Sequence, residues 1–136
     1  MKSRFLPSGD VVRDLLSWGS AGWISRPAAT GASALTVIDV DFTPGHGHNF
    51  HKHPGQEEVL VVTEGEIEQW LDRDMRVLKK GDAVFIDKNV VHASFNVSGK
   101  PARVLAILGP AVTEAGYVSI DVSGDEPWKS LRTARP

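Results

Sequence analysis

The chain has 136 residues, 41% of them hydrophobic and 24% charged. This is enough for one domain with a buried core, and the composition excludes a disordered, coiled-coil or collagenous chain. Fifteen basic and seventeen acidic residues leave a net charge of −2 without a basic stripe, which argues against electrostatic binding of nucleic acid. With no cysteine, disulfides, thiolate zinc sites and a cysteine nucleophile are excluded, which fits a reducing compartment.

The first residues, Met1-Lys2-Ser3-Arg4-Phe5-Leu6-Pro7, carry two positive charges but no apolar run behind them, so no secretory signal is predicted. The longest apolar runs, Val59–Val62 and Val104–Leu108, fall far short of the roughly 20 residues of a membrane helix. A soluble, cytoplasmic protein is expected. Between residues 10 and 18, two readings stay open. Asp10 can cap a helix carrying Val11, Val12, Leu15 and Leu16 at helical spacing, or the same stretch is an N-terminal strand.

From Leu35 to Phe42 the pattern has period two. Thr36, Ile38, Val40 and Phe42 share one face; Leu35, Val37, Asp39 and Asp41 share the other. Val59–Thr63 is apolar on both faces and predicts a strand covered on both sides. Further strands are expected at Ala83–Ile86, Ala93–Val97, Ala102–Leu108 and Tyr117–Val122, where β-branched residues and aromatics are common. Asp125-Glu126-Pro127-Trp128 can open one helical turn. Short strands punctuated by glycine and proline read as an all-β sandwich or barrel, and no internal repeat is present.

The chemistry concentrates in residues 45–58, which hold four of the five histidines. On a strand, His51 and His53 lie on one face. Pro54-Gly55 reverses the chain, and Glu58 opens the next strand near His53. Two imidazoles and a carboxylate from adjacent strands form a nitrogen and oxygen metal face. His92, at the start of a later strand, can lie beside them as a fourth ligand. Four protein ligands leave an octahedral ion two open positions, the mark of a catalytic site.

The spacing of these residues resembles the cupin family. Its first motif appears as Gly45, five residues, His51, one residue, His53, four residues, Glu58, six residues, Gly65. Its second appears as Gly81, five residues, Asp87, one residue, Asn89, two residues, His92, three residues, Asn96. The family usually has proline where Asp87 stands and glycine where Asn89 stands; asparagine tolerates a left-handed turn best among the other residues. The fifteen residues between Gly65 and Gly81 resemble the spacer of compact bacterial single-domain cupins. The resemblance implies one domain overall: a jelly-roll β-barrel core over 35–122, a strand or arm region over 1–34 open to exchange within a dimer, and a C-terminal tail over 123–136. It also implies one divalent metal ion held by His51, His53, Glu58 and His92. Family members use iron, manganese, nickel, zinc or copper, with iron or manganese favoured here. A small-molecule partner and a homodimer are implied as well.

Other residues have plainer roles. Glu57 has the wrong strand parity and is expected to face away. His46 and His48 read first as members of a solvated loop, with a place at the cavity mouth as proton shuttles the alternative. Asn49 shares the parity of His51 and His53 and is expected to point into the barrel toward substrate. One of Gln69 and Trp70 is expected to face inward, with Trp70 as packing. Asn96 is expected to bind backbone. Phe50, Phe85 and Phe95 read as core; Trp18, Trp23 and Trp128 read as core or dimer contacts. The function expected is a metal-dependent oxygenase of dioxygenase type. The alternatives are an isomerase, decarboxylase or lyase using the ion as a Lewis acid, or a non-catalytic binder of small ligands.

Overall fold

Period-two patterning is realised most fully in strand β3 (Thr36–Phe42), where Thr36, Ile38, Val40 and Phe42 are buried and Val37, Asp39 and Asp41 are half-buried. The computed structural model describes residues 3–132, so the extreme ends of the expected arm and tail lie outside the described residues. The other strands are β1 (Val12–Leu16), β2 (Gly19–Ser25), β4 (Gly47–Lys52), β5 (Glu57–Glu64), β6 (Glu66–Leu71), β7 (Asp74–Lys79), β8 (Ala83–Ile86), β9 (His92–Phe95), β10 (Ala102–Gly109) and β11 (Ile120–Asp121). A 3-10 turn (Ser8–Asp10) and two one-turn α-helices, α1 (Pro27–Thr30) and α2 (Trp128–Leu131), complete the described residues. The strand reading of residues 10–18 holds: β1 pairs antiparallel with β2. The helical turn after Asp125 is α2.

Every strand pairing is antiparallel, in two sheets ordered β1-β2-β3-β10-β5-β8 and β11-β4-β9-β6-β7. Successive strands β4 and β5 lie in opposite sheets, as do β9 and β10. The chain thus crosses between layers, which is the jelly-roll topology. Among the described residues no helix is long and apolar enough to cross a membrane.

The main core lies between the sheets, with Ile38, Val40, Phe42, Leu60, Val62, Val104 and Leu108 from the larger sheet and Ile67 from the smaller. Each such side chain contributes about 1.5–3 kcal/mol through its burial. A second cluster sits on the outer face of the smaller sheet. Phe50, Trp70, Ala93 and Phe95 pack there with Val122, and Trp128 and Leu131 of α2 cover them. Arg132 closes this cover by lying over the Phe95 ring and bonding the buried Glu68 carboxylate through Nε at 2.7 Å. Trp70 is therefore packing, on the side away from the barrel interior.

Two expectations need correction. Phe85 is 56% exposed, because it lies on the outer face of the edge strand β8 instead of the core. On β5, the buried residues Glu58, Leu60 and Val62 alternate with the half-buried Val59 and Val61, so within one chain only the inner face is fully covered. The outer face of β3 and its neighbours carries ion pairs instead. Arg103 Nε lies 2.9 Å from Asp41 Oδ1, and Arg13 pairs with Asp39. Exposed pairs of this kind contribute about 0–1 kcal/mol.

Asn96 ties the layers together. It is completely buried, and its Nδ2 donates to the Phe42 carbonyl at 3.0 Å and to the Lys100 carbonyl at 2.7 Å, while its Oδ1 accepts from Ser98 N–H. The backbone role expected for Asn96 is the one it has. Replacing Asn96 with Ala should cost about 2–4 kcal/mol, because buried carbonyls lose their donor. Urea titration measures this loss; an unchanged midpoint would contradict the bracing role.

Candidate metal centre

β4 and β9 pair with His51 opposite His92, which brings two imidazoles together at the centre of the smaller sheet. His53 follows β4 at the Pro54-Gly55 turn, where Gly55 adopts the positive φ that a tight turn needs. Glu58 comes from the facing sheet, between β10 and β8. The four groups therefore span the barrel from both layers, instead of arising from adjacent strands. The turn before His92 has Asn89 at φ 63°, the left-handed conformation expected of asparagine where glycine is usual. Its N–H donates to the His53 carbonyl at 3.1 Å, which fastens the two motifs to each other.

One nitrogen from each of His51, His53 and His92 lies within 4.8 Å of the others, and all three residues are buried. Their Nδ1 atoms face backbone carbonyls: Asn49 O at 2.7 Å for His51, Val118 O at 2.8 Å for His53 and Val90 O at 3.0 Å for His92. A carbonyl can only accept, so each Nδ1 carries a proton and each ring, when neutral, turns its Nε2 lone pair inward. Glu58 Oε1 lies 3.0 Å from His92 Nε2 and 3.4 Å from His53 Nε2. Yet Glu58 Oε1 and His92 Nε2 are buried atoms without a well-directed hydrogen bond. Buried lone pairs facing a buried carboxylate fit a cation between them. The sequence-predicted quartet is thus gathered at one place, and its donor set suits a divalent transition ion.

The quartet closes the polar end of a cavity of about 200 Å³. Aromatic walls stand on two sides. Trp18 stacks on Phe42 with centroids 5.4 Å apart, and Trp23 on Tyr117 at 5.5 Å. Leu60, Val104, Ala106 and Leu108 supply the aliphatic floor. Asp14, Ser94 and Tyr117 add polar atoms, and no lysine or arginine lines the cavity among the described residues. Asp14 is held by the Trp23 indole, whose Nε1 donates to it at 2.8 Å. Sequence reasoning missed this wall. Trp18 and Trp23 are lining residues, but nothing in their spacing separates a cavity wall from a core.

The remaining candidates divide. His48 lines the cavity, with its ring 3.6 Å from that of His51 and 4.8 Å from that of Trp18. A bulge between His48 and His51 breaks the parity of β4, so two residues three apart share the inward side. The same bulge overturns the expectation for Asn49. It is exposed, and its Oδ1 turns back to accept from Phe50 N–H. His46 is exposed and bonds Pro44 O, the solvated loop role. Gln69 is buried behind the wall and accepts from Ser94 Oγ at 2.6 Å, so it orients a lining hydroxyl without facing the cavity. Glu57 is exposed, as its parity requires.

Burial and the neighbouring His48, His92 and His53 hold His51 well below the ordinary imidazole range. Burial brings His48 down to about 4. Burial alone would lower His53, but the Glu58 carboxylate outweighs it and raises His53. Burial would likewise raise Glu58, yet the adjoining His53 and His92 imidazoles hold it far below the carboxylate range. Burial also raises the Tyr117 hydroxyl, which stays protonated at neutral pH.

Groups lowered by folding take up protons more readily in the unfolded chain. Stability from His48 and His51 is therefore present at pH 7 and lost as pH falls from about 6.5 toward 4. Each such imidazole steepens the fall by up to about 1.4 kcal/mol per pH unit, while His53 works in the opposite direction. Chelator-treated protein should show a falling urea midpoint between pH 7 and 4.5, with a shallower fall in His48→Gln. A midpoint that rises on acidification would show that the His53–Glu58 pair dominates.

Residues 38–108 match the cupin domain family Cupin_2. Protein SchB of Streptomyces halstedii is 34% identical over 113 residues, covering 83% of this chain and 75% of that one. Oxalate oxidase GF-3.8 of Triticum aestivum is 25% identical over 129 residues, covering 89% of this chain and 54% of that one. Polyketide synthase CurC of Streptomyces cyaneus is 26% identical over 145 aligned positions, covering all of this chain and 94% of that one.

Proposed function

The chain belongs to the cupin family, and from that premise we propose that it is a divalent-metal enzyme acting on a small, largely apolar, oxygen-bearing molecule. The observation that carries this reading is the quartet itself. Three imidazoles with their Nδ1 edges committed to carbonyls, and one buried carboxylate, face one point at the end of an apolar cavity. His51, His53, Glu58 and His92 would hold the ion. Imidazole and carboxylate admit iron, manganese, zinc, nickel and copper, and iron or manganese is the proposed resident. When bound, such an ion supplies Lewis acidity toward a chelating oxygen and, if redox active, a place for dioxygen.

The chain's own residues do the rest. Trp18, Phe42, Trp23 and Tyr117 exclude water and receive a flat apolar body. Tyr117 keeps its proton and can donate to a substrate oxygen. Asp14 presents a carboxylate that can accept from a substrate hydroxyl, and Ser94 offers a hydroxyl steadied by Gln69. With no lysine or arginine lining the cavity among the described residues, a small dicarboxylate would be held chiefly by the ion, so a neutral chelating molecule fits better.

The principal reading is oxygenase chemistry, supported by the quartet and the water-excluding walls. A second reading is Lewis-acid chemistry at a carbonyl, favoured by the match of a polyketide synthase protein along the whole chain. The proposal places the enzyme in the cytoplasm as a homodimer. The half-buried Val59, Val61, Leu105 and Ile107 on the outer face of the larger sheet would meet their copies there.

Oxygen uptake by iron-loaded protein with a panel of catechols and 1,3-diketones tests the principal reading. Uptake above the metal-free control is expected. Turnover that persists without oxygen would move the assignment to Lewis-acid chemistry, and thermal stabilisation by a ligand without turnover would mark a binder. His53→Ala should lose the bound ion while the barrel still folds, as mass spectrometry and circular dichroism would report. An unchanged metal content would refute the ligand set.

A further inference from the structure

His53 differs from the other two imidazoles in how its Nδ1 is held. His51 and His92 use carbonyls two residues away, at Asn49 and Val90, whereas His53 uses Val118, 65 residues downstream. The orientation of His53 therefore depends on the segment joining β10 to β11. Outside a single bridge between Val112 and Gly116, that segment has no sheet pairing of its own before β11.

Backbone hydrogen bonds tie Ala111 and Glu114 of the segment to Ser33 and Ala28, but its polar contacts around Val118 come from the side chain of Gln56, which is 1% exposed. Its Nε2 donates to Pro110 O at 2.8 Å and to Gly116 O at 3.1 Å, and its Oε1 accepts from Val118 N–H at 3.1 Å. Two carbonyls can meet only the amide NH₂ and a backbone N–H only the amide oxygen, so these partners also fix which end of the amide is which. Val118 is held on both sides: Gln56 takes its N–H, and its carbonyl takes the proton of His53. The adjacent Tyr117 packs its ring edge-on to His53 at 5.9 Å and lines the cavity.

We propose that Gln56 is a positioning residue of the metal centre: through Val118 it sets the orientation of the His53 ring, and with it the direction of the lone pair offered to the ion. This rests on the metal-binding reading above. Thr36 provides the internal comparison. Its hydroxyl donates to Gly116 O at 2.7 Å, so it braces the same segment but touches neither polar atom of Val118.

Cobalt(II) loading of the full chain tests the proposal, with dissociation constants from chelator competition and visible spectra recorded at saturation. Gln56→Met keeps the shape and removes all three hydrogen bonds. It should weaken cobalt(II) binding by about 10–100-fold and change the visible bands. Gln56→Glu keeps the acceptor for Val118 but loses both donors, and should weaken binding by at least about threefold. Thr36→Val should lower the thermal midpoint while affinity stays within about twofold and the bands are unchanged. Should the methionine variant fail to fold, the glutamate variant decides. Wild-type affinity and spectrum in the folded Gln56 variants would overturn the proposal, and so would an equal loss in Thr36→Val, which would show general loosening. A wild-type chain that takes up no cobalt(II) would instead refute the metal reading itself, and this inference with it.

Discussion

The structure depends on three hydrogen bonds from imidazole Nδ1 to backbone carbonyls. They decide the tautomer of every histidine in the quartet and so aim three lone pairs at one place. Glu58, arriving from the opposite sheet, adds a buried negative charge there. Left alone, such a group is costly, since neither buried lone pairs nor a buried carboxylate can be solvated. His53 is raised and Glu58 lowered by the same contact, since a carboxylate favours the charged imidazole and a charged imidazole favours the carboxylate. Proton and metal ion would thus compete for the same negative centre.

Much of this was legible in the sequence because the governing spacings are local. The separation of His51 and His53, the Pro54-Gly55 turn and the start of β5 at Glu57 are set within eight residues. The second motif places His92 with equal economy. Asn89 standing in for glycine is readable because a side chain that tolerates positive φ is rare. The period-two strand β3 was readable for the same reason, and β10 was readable as an apolar run that includes Val104 and Ile107.

What escaped the sequence has identifiable causes. β7 carries exposed and half-buried residues and has no strong alternation to detect. Asn49 was misplaced because parity counting assumes an unbroken ladder, and the bulge on β4 inserts a residue. The same insertion brought His48 inward. Phe85 was misread because an aromatic on an edge strand has the same letters as one in a core. Asp14 and Trp23 meet across the β1–β2 hairpin and Tyr117 joins them from the far end of the chain, and neither these three nor Trp18 has a sequence neighbour in the motifs.

These late-arriving residues define the surroundings of the quartet. A cavity with aromatic walls and, among the described residues, no lysine or arginine offers an anion little but the ion itself, whereas a neutral ring with two oxygens gains both chelation and stacking. The residues after β10 connect the two requirements, for Tyr117 is wall and Val118 is brace. Gln56, between the ligands in sequence, reaches across to hold Val118 and the Gly116 carbonyl, on either side of Tyr117. Change in that segment would therefore alter cavity shape and ligand orientation together. A scaffold that keeps its four ligands could vary its chemistry by this route while its barrel stays the same.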